Sequence, residues 1–280
     1  MDLYDLIMKR RSVRNFKDWP VPEDVIERLA DAANNAPSGG NIQPVSIIIV
    51  QNAESRKKLA EINEDQPWIK NAPLSMIFCL DLYRIKKWAS MFDTEFKGEN
   101  ALAHFLIGYA DLMCAAQSVA ILAESYGLGS VYIGTIQSEI DRARQYFKIP
   151  QYVLPMMVLS IGYPKSAPNS IPKLKRNVIT HRNTYSEFSD DDIKKAFEDK
   201  YGDFDENVNR YFEKAYIEVV EADKQQEQSW IEQAKKEMKK LEIKNNAEFL
   251  FKLRYPSEVM IKLNETIINS IKNAGFNFFN

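Results

Sequence analysis

Residues 101–126 read ALAHFLIGYADLMCAAQSVAILAESY, and residues 127–134 continue as GLGSVYIG. The first stretch predicts about seven turns of helix with only two charged residues, Asp111 and Glu124. A helix that is apolar nearly all round belongs in a protein core or in a large subunit interface. The second stretch predicts a strand that starts at a glycine. We therefore expect this helix to be the spine of the main domain.

Short apolar runs rich in β-forming residues flank this spine on both sides. They predict strands over residues 45–51, 74–82 and, despite Pro155, 153–162. Helices are expected over residues 3–7, from Glu23 to Ala33, over residues 54–63, and from Ser138, where Asp141 would complete a relaxed capping box. Helices and strands mix without a strict βαβ repeat, which favours the α+β class over a doubly wound sheet.

The charge balance changes near Tyr185. The first 185 residues hold 22 basic and 19 acidic residues, a balance of +3, whereas the rest hold 15 and 20, a balance of −5. Beyond this point, apolar residues such as Ile193, Phe197, Phe204 and Tyr211 keep helical spacing. We expect a core domain over residues 1–185 and a helical extension over residues 186–280, packed on the core or on a partner subunit.

The composition excludes several classes of protein. The chain has 280 residues, a net charge of −2 and 45% hydrophobic residues, so it has no global basic field for nucleic acid or anionic lipid. Cys79 and Cys114 lie in apolar stretches and are expected to be small core residues. The start, MDLYDLIMKRR, is unlike a signal peptide, and no uncharged apolar run reaches about 18 residues. We expect a cytoplasmic protein without a nucleic-acid or membrane partner.

Two polar segments could hold a ligand. Residues 9–14, KRRSVR, offer the fork-shaped cationic donors that bind phosphate, although a basic helix end is the simpler alternative. Residues 37–44, PSGGNIQP, offer close backbone approach and uncharged polar groups, although such residues also form ordinary turns. The segment GLGSVYIG is not the glycine fingerprint of dinucleotide-binding folds.

No familiar catalytic or metal-binding motif is present in the sequence. There are only two histidines, His104 and His181, and there is no HExxH, GxxxxGK or GxSxG motif. We therefore expect no metal site and assign no catalytic side chain. Phosphate-binding residues without an acid, base or nucleophile fit a protein whose reactive atoms belong to a bound cofactor, either a flavin or a nicotinamide.

Six segments together resemble the FMN-dependent nitroreductase family in order and spacing. They are RRSVRNF (10–16), APSGGNIQP (36–44), QPWIKNAPLSMIFCLDLYR (66–84), ESYGLGSVYIGTI (124–136), LPMMVLSIGYP (154–164) and HRNTY (181–185). The chain is most similar to the branch that contains the oxygen-insensitive major nitroreductase and the NADPH-flavin oxidoreductases. The segments SWIEQ (229–233) and NAGFNF (273–278) resemble that branch's helical extension, so the similarity spans nearly the whole chain.

The resemblance implies a mixed α+β sandwich, an intertwined homodimer and two FMN sites at the subunit interface. It implies that the arginine-rich segment and the glycine loop hold the phosphate and ribityl chain, that Gln66 approaches the ring edge, and that residues 132–134 lie along the ring. The implied cofactor-binding residues are Arg10, Arg11, Ser12, Arg14, Ser38, Gly39, Gln43, Gln66, Tyr132, Ile133, Gly134, Lys173 and Arg182.

Three regions depart from the pattern of that branch or vary within the family. The chain has Ile171-Pro172-Lys173 where the branch has Lys-Pro-Arg, so one phosphate-binding cation is lost and Lys173 replaces the arginine; Lys175, Arg176 or Arg182 could compensate. Residues 218–228, EVVEADKQQEQ, lack the arginine pair linked to NADPH, so NADH and NADPH both stay open. The aromatic residues Trp88, Phe92 and Phe96 either border the active-site mouth or form a stripe packed in the core or in a dimer interface.

The resemblance implies a function as well as a fold. We expect an FMN-dependent NAD(P)H oxidoreductase that reduces nitroaromatics, quinones or free flavin by two-electron ping-pong transfer. Its partners would be a second copy of the chain and a small-molecule electron acceptor. Two alternatives stay open at this point: an FMN-binding sensor or reservoir without NAD(P)H turnover, and another flavin chemistry such as reductive dehalogenation.

Overall fold

The computed structural model describes residues 2–166, 171–219 and 224–279, and the side chains between 213 and 231 lie outside that description. The chain divides into two compact units. The first comprises Met1–Pro168 and Lys262–Asn280, and the second comprises Asn169–Ile261. These boundaries differ from the change in composition at Tyr185, and the division at that residue stays a prediction.

The first unit is built on a four-stranded sheet with the order β1-β2-β4-β3, in which every neighbouring pair of strands is antiparallel. An isolated parallel bridge joins Ser12 to Ser130 beside the edge strand. The predicted strands and the α+β class are confirmed. The strands are β1 (Val45–Val50), β2 (Leu74–Asp81), β3 (Gly129–Ile133) and β4 (Val153–Gly162).

Helices cover both faces of this sheet. Along β2, Met76, Phe78 and Leu80 join one buried cluster, while Ile77 and Cys79 join another. The first cluster contains the apolar faces of α2 and α6, and the second contains those of α3, α4 and α7. Because both faces are covered, the central strands β2 and β4 are buried along their whole length and lack the usual alternation of apolar and polar residues. The helices are α1 (Leu3–Lys9), α2 (Glu23–Asn34), α3 (Ala53–Ile62), α4 (Pro67–Asn71), α5 (Tyr83–Met91), α6 (Leu102–Ser125) and α7 (Ile140–Tyr146).

Helix α6 is the spine that the sequence predicts. Its central residues pack against α2 and the sheet, whereas Leu102, Leu106 and Ile107 at its start are 50%, 57% and 48% exposed. Among the described helices, α6 alone is long and apolar enough to cross a membrane, with a mean hydropathy of 1.6 and 39% of that window buried. Its packing on the sheet identifies it as a core helix.

A β-bulge explains how β4 accommodates a proline. The pairing between β2 and β4 shifts between Phe78 and Cys79, so that Phe78 faces Met157 while Cys79 faces Pro155. Met156 is the extra residue. A proline cannot donate a ladder hydrogen bond, and an irregular position such as a bulge removes the need for one.

Two predictions about single residues are wrong. Ser138 does not cap a helix, because it ends a 3₁₀ turn at Thr135–Ser138 and its hydroxyl donates to the carbonyl of Thr135. Asp141 instead accepts hydrogen bonds from Ser270 and Asn273, at 3.1 and 2.9 Å. Cys114 is not a core residue but lies on the exposed side of α6, while Cys79 is buried as expected.

The end of the chain packs back onto the first unit. Ile271, Ala274 and Phe276 are buried in the same cluster as α2 and α6. The backbone amide of Tyr152 donates to the carbonyl of Ala274 at 2.7 Å, and the amide of Asn277 donates to the carbonyl of Glu99 at 3.0 Å. Residues 271–276 therefore contribute to the core of the first unit.

The second unit is helical and has a small aromatic core. The ring of Phe249 is 1% exposed and packs edge-on against Phe204 and Tyr211. The buried Asn246 donates to the carbonyl of Gly202 and accepts from Asn207. Its elements, with the last helix ending in the first unit, are α8 (Arg176–Ile179), α9 (Asp190–Tyr201), α10 (Phe204–Val219), α11 (Lys224–Lys240), α12 (Asn246–Glu248), a π-helical stretch (Phe249–Arg254) and α13 (Ser257–Asn273).

Candidate active site

The arginine-rich segment lies against the edge strand β3. The amide of Val13 donates to the carbonyl of Ser130 at 3.0 Å, next to the bridge between Ser12 and Ser130. Only a glycine at position 129 allows this approach, because a Cβ there would overlap the side chain of Val13. The glycine that starts β3 is therefore needed so that the segment that carries the arginines can pack against this strand.

Arg10 is half-buried and provides one guanidinium nitrogen that lacks a hydrogen-bond partner among the described residues. Its Nη1 atom is buried and has no hydrogen-bond partner among the residues that the structure describes. Burial raises the pKa of the neighbouring Glu124 carboxyl, and the charges of Arg10 and Arg11 offset only part of this increase. A buried guanidinium donor without an acceptor costs free energy unless a ligand supplies that acceptor.

Arg11 and Arg14 are held in different ways. Arg11 donates from Nη1 to the carbonyls of Met8 and Arg10, both at 2.8 Å, and so helps to end α1. The guanidinium of Arg14 lies 5.6 Å from the ring centre of Trp68, and Trp68 follows closely on Gln66 at the start of α4. Arg14 and the Gln66 region are therefore neighbours.

The segment after β3 completes this group of residues. The hydroxyl of Tyr132 donates to Oε1 of Gln117 at 2.9 Å, and burial raises the pKa of Tyr132 to about 12. Ile133 is buried. Gly134 is exposed with a φ of −92°, and a Cβ built on it would meet no atom of the described residues within 4 Å. Open space thus lies directly beside the backbone at Gly134.

Gln66 is connected to this segment by a hydrogen bond. Its Nε2 donates to the hydroxyl of Thr135 at 3.1 Å, and that hydroxyl donates to Oδ1 of the buried Asn63 at 2.9 Å. The structure therefore brings together one set of sequence-predicted residues, which we call the arginine half-site: Arg10, Arg11, Ser12, Arg14, Gln66, Tyr132, Ile133 and Gly134.

The glycine loop forms a second group, the loop half-site, which consists of Ser38, Gly39 and Gln43. The amide of Gly39 donates to both carboxylate oxygens of the buried Asp111 on α6, each at 3.1 Å. The amide of Gln43 donates to Oγ of Ser38, and the Gln43 side chain donates to Asn34 at the end of α2. The loop is thus fixed to α2 and α6.

The two half-sites lie apart within one chain. The loop docks on α6 at Asp111, whereas Arg10 and Arg11 lie near Glu124, where their charges lower its pKa. Glu124 is thirteen residues further along the same helix. Thirteen residues of helix correspond to about 20 Å. The loop also leads into β1 and Gly134 follows β3, and these are opposite edges of the sheet, about 14 Å apart. One chain does not bring these residues together.

Lys173 and Arg182 belong to the second unit and are exposed there. Among the alternative cations, Lys175 pairs with Asp199, with 2.6 Å between Nζ and Oδ2. The roles of these cations stay predictions. The segment EVVEADKQQEQ, which bears on the preference for NADH or NADPH, lies outside the residues whose side chains the structure describes.

The aromatic residues near α5 do not form a stripe buried in the core of the single chain, and their packing in a dimer stays a prediction. Trp88 is 49% exposed and Phe92 is 81% exposed, while Phe96 packs edge-on against His104. Trp88 lines a cavity of about 410 Å³ together with Gln43, Arg84 and Asp111. Arg84 also donates to the carbonyls of Gln43 and Val45, at 2.7 and 3.1 Å. This cavity lies beside the loop half-site.

Sequence reasoning missed three residues that position the half-sites, namely Asn63, Asp111 and Thr135. A usable signal existed for Asp111, since a lone carboxylate within an apolar helix needs a hydrogen-bond partner. The roles of Asn63 and Thr135 depend on a contact across 72 positions of sequence, which no local pattern reveals. Within the described residues, no group of three or more histidine, cysteine or acidic side chains could hold a metal ion.

Comparison with known proteins identifies the family. The model of the nitroreductase family matches residues 7–163, and this chain belongs to that family. Two relatives come from Bacillus subtilis (strain 168). The chain is 34% identical to its FMN reductase (NAD(P)H), over 62% of this chain and 71% of the relative, and 31% identical to its FMN reductase (NADPH), over 74% and 82%.

A solved structure, the NfrA1 nitroreductase from B. subtilis, is 25% identical to this chain. The match covers 99% of both chains with a TM-score of 0.74. The similarity therefore includes the helical second unit as well as the sheet domain. It confirms the nitroreductase fold that the ordered motifs predict.

Proposed function

We propose that this protein is an FMN-dependent NAD(P)H oxidoreductase that reduces small electron-poor acceptors such as nitroaromatics, quinones or free flavin. Membership of the nitroreductase family and the two FMN reductases among its relatives support this function. The observation that carries the proposal is the arginine half-site, where, among the described residues, a buried nitrogen of Arg10 lacks a partner and the space beside Gly134 is open.

The residues of the arginine half-site fit a phosphorylated aromatic cofactor. Arg10 and Arg14 are suited to the phosphate, because guanidinium groups make charge-assisted and bidentate hydrogen bonds to phosphate oxygens. Ser12 offers an uncharged donor on the same segment. The isoalloxazine ring would lie beside Gly134, where the backbone permits close contact, with Gln66 at its edge.

The chemistry that FMN supplies when bound is two-electron transfer from NAD(P)H to an acceptor, in ping-pong order. The side chains of this protein orient and shield that reaction. Buried residues such as Ile133 and Ile136 exclude water from one side of the site. The hydroxyl of Tyr132 is held by Gln117, and burial raises its pKa to about 12, further above neutral pH than that of an ordinary tyrosine. No side chain is assigned as a general acid.

The active form in this proposal is a homodimer in the cytoplasm. Two half-sites about 20 Å apart along α6 cannot hold one cofactor within a chain, but a two-fold dimer can place the loop of one copy beside the arginines of the other. The apolar residues exposed at the start of α6, Leu102, Leu106 and Ile107, supply a surface for that contact. The acceptor would enter at the open mouth beside Gly134.

Anaerobic stopped-flow mixing tests the proposed activity. The FMN-loaded protein is mixed with NADH or NADPH, and the flavin absorbance band is followed. We expect at least one nucleotide to bleach the band and a nitroaromatic or quinone to restore it in a second mixing step. Retention of the band with both nucleotides would overturn the reductase proposal and would favour a protein that only stores or senses FMN.

A further inference from the structure

A chain of hydrogen bonds runs from the protein core to Gln66. It begins at Asn63, which is 0% exposed, and whose Nδ2 donates to the backbone carbonyl of Leu59 at 2.8 Å. A carbonyl can only accept, so the amide group of Asn63 has a single possible orientation. Its Oδ1 atom must therefore face Thr135, 2.9 Å away.

The direction of the remaining hydrogen bonds follows from that orientation. A hydroxyl has one hydrogen, and Thr135 must give it to Oδ1 of Asn63. The oxygen of Thr135 can then only accept, and Gln66 must approach it with Nε2, at 3.1 Å. The backbone carbonyl of Leu59 thus fixes the direction of every hydrogen bond in this chain. The Oε1 atom of Gln66 is the end of its amide that does not face Thr135.

We propose that Asn63 and Thr135 are positioning residues that hold Gln66 with its Oε1 toward the cofactor, so that this edge of the site accepts a hydrogen bond. This inference rests on the proposed function and specifies one of its contacts. The group that fits an acceptor at the edge of a flavin is the imide N3–H, which lies between two carbonyl oxygens. A reversed Gln66 amide would present a donor there and would leave N3–H without a partner.

The chain of hydrogen bonds from Asn63 to Gln66 also connects the two residues expected to contact the ring, Gln66 and Gly134. Thr135 directly follows Gly134, and the amide of Gln137 donates to the carbonyl of Gly134 at 3.0 Å. The hydroxyl of Thr135 therefore joins Gln66 to the short turn that holds Gly134 in place. A change at Thr135 is expected to act on FMN through Gln66, without removing a group that touches the cofactor.

The test is a double-mutant cycle between Thr135 and Gln66. Thr135→Val keeps the shape of the side chain and removes the hydroxyl, Thr135→Ser keeps the hydroxyl, and Thr135→Ala serves as a second variant if the valine protein does not fold. Loss of one oriented hydrogen bond is expected to weaken FMN binding by about threefold to tenfold in Thr135→Val, and Thr135→Ser should stay within about twofold. In a Gln66→Ala background, Thr135→Val should add no further loss.

Proton NMR of bound FMN labelled with ¹⁵N at N3 measures the chemical shift of N3–H, which a general loss of protein stability would not change. The N3–H resonance should shift upfield in Thr135→Val and keep its wild-type position in Thr135→Ser. An unchanged resonance and affinity in Thr135→Val, or an equal loss in the Gln66→Ala background, would overturn this inference alone. A wild-type protein that does not bind FMN would overturn the proposed function and, with it, the inference.

Discussion

The open space beside Gly134 allows a sharp test, because the fold itself does not need a glycine there. The residue has φ −92° and ψ −10°, a conformation that does not require a glycine, and a Cβ would meet no atom of the described residues within 4 Å. In Gly134→Val, the new side chain would fill the space that we assign to the flavin ring. The apoprotein should fold normally and the cofactor should bind poorly.

The expected magnitudes follow from this geometry. Replacing a flexible glycine stabilises a protein by about 0.4–1 kcal/mol, and loss of the glycine at the start of the 3₁₀ turn offsets part of that gain. The free energy of unfolding of the apoprotein should therefore change by less than about 1 kcal/mol. FMN would lose its close contact with the backbone and meet a crowded surface, which together cost about 2–4 kcal/mol, or roughly 30-fold to 1000-fold in Kd.

Two measurements on the same variant separate these effects. Urea unfolding of the apoprotein gives its stability, and quenching of FMN fluorescence gives the Kd, with Gly134→Ala as an intermediate case. A Gly134→Val protein that is stable and binds FMN within twofold of wild type would refute the placement of the ring. A protein that is strongly destabilised without cofactor would refute the open space at this position.

Three further substitutions test the residues around the two half-sites. Arg10→Ala should weaken FMN binding by about 1.5–3 kcal/mol, because it removes a charge-assisted hydrogen bond, whereas Lys9→Ala, at an exposed lysine paired with Asp5, should change the Kd measured by fluorescence titration less than about twofold. Asp111→Ala should lower stability in urea by about 1–3 kcal/mol and weaken FMN binding, since the amide of Gly39 loses its acceptor; Asp111→Asn should lose less on both counts. Burial raises the pKa of Glu124 above 4.5, so the folded protein binds more protons than the unfolded chain above that pH and loses stability as pH rises. The melting temperature of Glu124→Gln should exceed that of wild type by a margin that widens above pH 4.5, and a constant margin would contradict this reasoning.

Local sequence patterns were sufficient for the elements of the sheet domain. The apolar runs at β1, β2 and β4 and the long helix α6 carry their own signals, because both faces of the sheet and one side of the helix are buried. Ser138 misled the prediction of a helix start, since its hydroxyl bonds to the carbonyl of Thr135 within a 3₁₀ turn. Composition alone could not show which side of α6 is exposed, and Cys114 lies on that side.

The sequence predicted the residues of the arginine half-site better than it predicted the residues that position the two half-sites. The residues from Arg10 to Arg14 and from Tyr132 to Gly134 stand in ordered motifs, and the structure brings them together along β3. The residues that position them are single polar side chains, Asn63, Asp111 and Thr135, whose partners lie about 70 positions away in sequence. Contacts of that range depend on the tertiary fold, so local patterns could not assign the partners of these residues, although a lone carboxylate within an apolar helix does indicate that Asp111 needs one.

Complementation between two inactive variants tests the central claim, that each FMN site combines half-sites from two chains. Arg10→Ala/Gly134→Val disables the arginine half-site, and Gly39→Val disables the loop half-site, since a Cβ there would lie 2.6 Å from Ile107. The two chains are coexpressed with different tags, and the heterodimer is isolated. An isologous dimer leaves one of its two sites intact, so we predict about half of the wild-type FMN content. A heterodimer without FMN, while both variants dimerise normally, would contradict the account.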